Sequence, residues 1–271
     1  MTRRTALLSM AAAALRAQQK PLPRKIQVVI LTGRDDHDWR GATPLMRQYL
    51  DAAAIFETRI DEECRDLGPE SLQRYDVAVL VYADKLPEDA WSERSKAVLR
   101  DFVQGGKGLV LYHHSSTAFK DWPEYARISG GNYYGRAQHS PIHDFTVTFT
   151  DRDHPVTRGL KKTFVQTQDE LYASMQMQPE GGYHVLATGW DDHALYNGKF
   201  KTPVPGPGAN EPLLWTVDYG KGRVFATMIG HSAKATQSAG FRATFTRGVE
   251  WAATGDVTQQ VPPDMVETEA R

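Results

Sequence analysis

The feature that most constrains this chain is an alternation of short apolar runs with amphipathic segments through its first half. Residues 26–32 (IQVVILT), 76–82 (DVAVLVY) and 108–112 (GLVLY) are almost continuously apolar, as suits strands buried on both faces. Residues 56–60 (FETRI) alternate as a short strand. From Thr43 the pattern turns helical, with Leu45, Met46, Tyr49, Leu50 and Ala53 on one face. Residues 91–104 form a second amphipathic helix, started around Ser92 and Glu93 and stopped by Gly105-Gly106. Residues 117–128 are predicted helical, with Pro123 at a start or a kink. This order predicts a parallel sheet between helical layers.

The second half is richer in strands, at 145–149, 183–189, 212–217 and 223–229, and Tyr219-Gly220-Lys221-Gly222 is a hairpin turn. Residues 201–210 read as a Pro/Gly-rich surface loop, and a last helix runs from Phe241 to Ala253, closed by Gly255. One domain is expected over residues 24–255, followed by a loose tail at 256–271.

The chain has 271 residues and a formal net charge of −1, which excludes a broad electrostatic grip on nucleic acid. Residues 1–17 carry Arg3-Arg4 and a short apolar run, which predicts a secretory leader of general or twin-arginine type and an exported, periplasmic or extracellular protein. No later segment reads as an integral membrane span. The single cysteine, Cys64, has no disulfide partner in the chain, and the acids before it disfavour a thiolate. No nucleotide cofactor is expected, and homo-oligomerisation is left open.

Ligands of open parallel sheets bind at the carboxyl ends of the strands. Three strands there are followed by histidine: His37 in 33–39 (GRDDHDW), His113 in 113–116 (HHSS) and His231 in 230–232 (GHS). Imidazole moves protons near neutral pH and binds transition metals. Gly33 and Gly230 allow either close approach to a ligand or a tight turn. Asp169 and Glu170, in 167–173 (TQDELYA), are either a solvated turn or a carboxylate facing the histidines, with Tyr172 beyond.

The blocks ILTGRDDHDW (30–39), GLVLYHHSSTAFKDWPEYARISGG (108–131), DHPVTRGL (153–160), DELY (169–172), EPLLWTVDYGKGRVFATMIGH (211–231) and GVEWAA (248–253) resemble the ThuA-like, or trehalose-utilisation, family over roughly residues 26–254. The resemblance implies a flavodoxin-like, class I glutamine amidotransferase-like fold: a three-layer α/β sandwich with a mainly parallel sheet. That superfamily places a cysteine at a strand-to-helix elbow. Here His113 and His114 occupy the elbow, and no acid stands two residues after His231, so amidotransferase chemistry is not carried over. The positions matching family blocks are His37, Asp38, His113, Glu170, Tyr172 and His231. His139 and His143 compete for a further position in 135–145, and His139 is retained.

The resemblance and the histidines together imply an enzyme acting on a glycoside, disaccharide or keto-sugar. Its catalytic candidates are His113, His231 and Glu170, and its substrate contacts Gly33, Asp38, Trp39 and Tyr172. A divalent transition metal such as zinc is the candidate cofactor, on His37, His113, His139 and His231. Trp39, Tyr112, Trp122 and Tyr172 suit either sugar stacking or core packing. The competing readings are a non-catalytic sugar-binding module and, lower, a serine hydrolase using Ser115 or Ser116, which lack the flanking glycines of a nucleophile elbow.

Overall fold

The apolar runs fold as expected, and the strand-rich half extends them into one sheet. The computed structural model describes residues 24–34, 37–179, 181–196 and 208–267. The proposed leader and most of the 201–210 loop lie outside these residues. The strands are β1 (Ile26–Leu31), β2 (Phe56–Asp61), β3 (Val77–Leu80), β4 (Gly108–Tyr112), β5 (Gly131–Asn132), β6 (Gln138–His139), β7 (His143–Phe149), β8 (Thr163–Asp169), β9 (Tyr172–Ala173), β10 (Gln176–Met177), β11 (His184–Asp191), β12 (Ala209–Tyr219) and β13 (Gly222–Thr227). The helices are α1 (Trp39–Ala52), α2 (Glu93–Gln104), α3 (Pro123–Ser129) and α4 (Ala239–Thr254).

Nine strands form one sheet in the order β2-β1-β3-β4-β13-β12-β11-β7-β8. The half from β2 to β13 is parallel, and the half from β13 to β8 is antiparallel. The helices complete a three-layer α/β sandwich, in which α1 packs against α4. The central parallel strands β3 and β4 are buried end to end, as their composition requires. No helix among the described residues is long and apolar enough to cross a membrane.

Local chemistry sets the helix ends. Asp38, Ser92 and Ser238 each accept a backbone N–H from the first turn of α1, α2 and α4. The helix predicted over 117–128 is shorter. Residues after β4 form a 3-10 turn (His113–Thr117), Phe119 takes a left-handed φ of 57°, and α3 starts only at Pro123, whose missing N–H is tolerated in a first turn. Strand β8 is an addition, since its sequence TFVQTQD lacks a strong apolar alternation.

Residues 256–267 are packed, not loose. Met265 is fully buried and its carbonyl accepts Lys161 N–H at 2.8 Å. The buried Arg247 donates to the carbonyls of Val156, Pro155, Arg158 and Gln259, and Glu250 accepts Thr258 N–H at 2.7 Å.

His154 packs on Trp251, its Nδ1 accepts Val156 N–H at 3.2 Å, and burial pulls its pKa down to about 4. The unfolded chain therefore binds more protons between about pH 4 and 6.5. Stability should fall as pH drops through that window, by on the order of 2 kcal/mol for this group after allowing for its partial exposure. Urea unfolding at pH 7 and pH 5 checks this, and His154→Gln should flatten the slope.

Candidate active site

Strands β1, β4 and β13 deliver their histidines to the same carboxyl edge. One donor atom each from His37, His113, Glu170 and His231 lies within 4.8 Å of all the others. The ring of His37 is 4.5 Å from that of His231 and 5.2 Å from that of His113. Glu170 is the hub: Oε2 is 3.1 Å from His231 Nδ1 and 4.0 Å from His113 Nε2, and Oε1 is 3.3 Å from His139 Nδ1. The His231 contact is close but misaligned, so its buried Nδ1 makes no proper hydrogen bond.

His113 is fully buried and takes a left-handed φ of 40° at the elbow after β4, a strained conformation for a residue with a Cβ. Its Nδ1 lies 2.6 Å from the Met228 carbonyl. A carbonyl only accepts, so Nδ1 carries the hydrogen. Burial, then the neighbouring His37, His231 and His114, hold the ring well below the ordinary histidine pKa, so it is neutral. Its Nε2 is therefore a buried lone pair without a partner, aimed at Glu170. Burial works to raise the Glu170 carboxyl, but the contact with His231 and the charges of His139, His231 and His37 outweigh it and hold it below the usual glutamate range.

Of the two competing histidines, His139 reaches Glu170, from β6 where it pairs with Tyr172. It is not among the four converging donors. His143 instead approaches the Pro141 carbonyl at 2.8 Å. Tyr172 is buried with its ring 4.3 Å from His113, a wall of the site. Asp38 is spent on capping α1, and Trp39 is buried in the core. Tyr112 is also buried and its hydroxyl donates to the Gly230 carbonyl, while Trp122 packs against the core.

Gly33 has a packing reason to be glycine. Its φ is 113°, and a Cβ there would sit 1.9 Å from the Glu62 carbonyl oxygen. Gly33→Ala should cost at least about 2 kcal/mol in thermal unfolding, since neither backbone segment can yield easily.

Cys64 is buried against the Thr32 carbonyl, and burial, with Asp61 adding to it, pushes its thiol pKa strongly up. Ser115 and Ser116 are buried with hydroxyls that pair with no histidine.

Two contributors stand outside the candidate site residues drawn from the sequence. His114 packs against His37 in a tilted ring contact, 3.9 Å between centroids. Asp169 is fully buried and holds the site together: Oδ2 accepts Gly230 N–H at 2.6 Å and Gln166 Nε2 at 2.7 Å, and Oδ1 accepts His231 N–H at 2.8 Å and Glu170 N–H at 2.9 Å. Burial pushes its pKa up, while all four partners are donors and favour the carboxylate.

The mixed sheet and its helical layers are the class I glutamine amidotransferase-like α/β fold, here with His113 at the turn after β4. Within that class the chain belongs to the ThuA (trehalose utilisation) family, which matches residues 27–252. A ThuA-like protein from Parabacteroides merdae is 29% identical with a TM-score of 0.76, covering 90% of this chain and 95% of its own. A second, from Bacteroides uniformis, is 17% identical with a TM-score of 0.69, covering 88% and 96%. No curated protein matches the chain.

Proposed function

We propose that His37, His113, His231 and Glu170 hold a divalent transition metal such as zinc, in a carbohydrate-active enzyme that processes a glycoside, disaccharide or keto-sugar. The observation that carries the metal is the pair His113 Nε2 and Glu170 Oε2, two acceptors facing each other at 4.0 Å. Neither has an aligned donor between them, and an arrangement of lone pairs in a buried site is stabilised by a cation. Neutral imidazoles with one carboxylate are a donor set that suits zinc.

Such a metal supplies Lewis-acid polarisation of a sugar oxygen, or water of lowered pKa. The chain's own groups do the rest. The Met228 carbonyl fixes the His113 tautomer and so aims Nε2. Glu170, held ionised, either ligates or takes a proton, and His139 steadies its outer oxygen. Asp169 fixes the His231 backbone. The substrate class is supported by the family's description, trehalose utilisation.

The test is turnover of a panel of disaccharides and their keto forms by metal-loaded protein. Activity on at least one should fall by at least about a hundredfold with chelator and return on adding metal. Folded, metal-loaded protein that turns over none would contradict the reading. A non-catalytic sugar-binding module, the alternative, would show calorimetric binding that survives His113→Ala combined with His231→Ala.

A further inference from the structure

A second polar group lies beside the histidines, on the antiparallel half of the sheet. In the β11–β12 pairing Asp191 is opposite Ala209 and Glu211 is opposite Gly189. Opposite residues share a face and alternate residues return to it, so Asp191 and Glu211 project to the same side. That side is covered by the segment carrying Glu170 and Tyr172. A Cβ on Gly189 would meet Leu171, and Glu211 accepts the backbone N–H of Ser174. Tyr133 bridges towards the histidines, its ring 4.7 Å from that of Tyr172.

Asp191 is fully buried. Its Oδ1 accepts the Tyr196 hydroxyl at 2.8 Å, but its Oδ2 has no partner. A buried carboxylate oxygen without a partner is destabilising, so core packing alone does not account for an acid here. We propose that Asp191 and Glu211, steadied by Tyr196, form a hydroxyl-recognition subsite beside the histidine centre, selective for a neutral sugar over a phosphorylated one.

Carboxylates only accept, so the ligand must present donors, and adjacent ring hydroxyls do so. A phosphate would face two like charges. Among the described residues no lysine or arginine pairs with either acid, the cationisable neighbours of Asp191 being His143 and His193, and burial pushes both carboxyls up from their ordinary values. The inference rests on the carbohydrate reading above, and it is separable from the metal.

The experiment is calorimetric titration of the metal-loaded full chain with trehalose, maltose and sucrose, and with trehalose 6-phosphate and glucose 6-phosphate. It is repeated for Asp191→Asn and Glu211→Gln, with thermal midpoint and metal content measured on each. At least one neutral sugar should bind, with the phosphorylated sugars at least about tenfold weaker. Each variant should weaken that sugar by about tenfold or more at unchanged metal content, and Asp191→Asn should narrow the discrimination against phosphate. If Asp191→Asn fails to fold, Glu211→Gln carries the same comparison. Wild-type affinity in the folded variants, equal binding of phosphorylated sugars, or no neutral sugar bound would each overturn the subsite. Metal content of the wild type decides the metal reading independently: metal bound with sugar affinity unaltered in the variants sinks only the subsite, and the reverse sinks only the metal.

Discussion

Asp169→Ala should lower unfolding stability by about 3–5 kcal/mol, the range for breaking a fully buried polar network. Four donors converge on this carboxylate: the backbone N–H groups of Glu170, Gly230 and His231, and Gln166 Nε2. Gln166 in turn accepts the hydroxyl of Ser238, the cap of α4, and donates to the Ala235 carbonyl. Truncation leaves several buried donors unpaired at once. It also releases Glu170 and His231 from a common anchor, so metal affinity should fall by about 10- to 100-fold. Urea unfolding and metal titration read the two effects separately. A stability loss below about 1 kcal/mol would mean that water replaces the carboxylate and that the anchor is not needed.

His113→Ala and His113→Gly together should separate ligation from backbone strain. Both remove the neutral imidazole whose Nε2 faces Glu170, and both should reduce metal affinity by about a hundredfold or more. They should differ in stability. The φ of 40° at this elbow is strained for any residue with a Cβ, so the glycine variant should be more stable than the alanine variant by about 1 kcal/mol. Equal stability would mean that the elbow relaxes once the ring is gone. Metal affinity kept by either variant would remove His113 from the centre.

What the sequence made legible were the strand ends. The runs at 26–32, 76–82 and 108–112 are apolar enough to declare buried strands, and histidines directly after such strands must fall at the carboxyl edge. That logic brings His37, His113 and His231 together without a contact map. Glu170 was one of two adjacent acids with no local sign of which mattered. The answer is long-range: Asp169 is drawn inward by backbone donors more than sixty residues later, and Glu170 is left facing the rings.

Three of the residues named as substrate contacts also have a strong local job. Asp38 precedes a helix and caps it, Trp39 opens the apolar face of that helix, and Gly33 yields to a neighbouring backbone. A sequence block cannot separate such duties from ligand contact. The packing of residues 256–267 is not legible locally, because its anchors, Arg247 and Glu250, belong to a helix whose polar positions are buried only once that segment packs on them.

Elemental analysis of the full chain, purified without chelator and without an affinity metal, decides whether the histidines and Glu170 hold a metal. About one equivalent of a divalent transition metal per chain is expected, lost in His113→Ala combined with His231→Ala while the fold persists. Metal-free wild-type protein that also fails to take up zinc, cobalt or manganese on titration would contradict it.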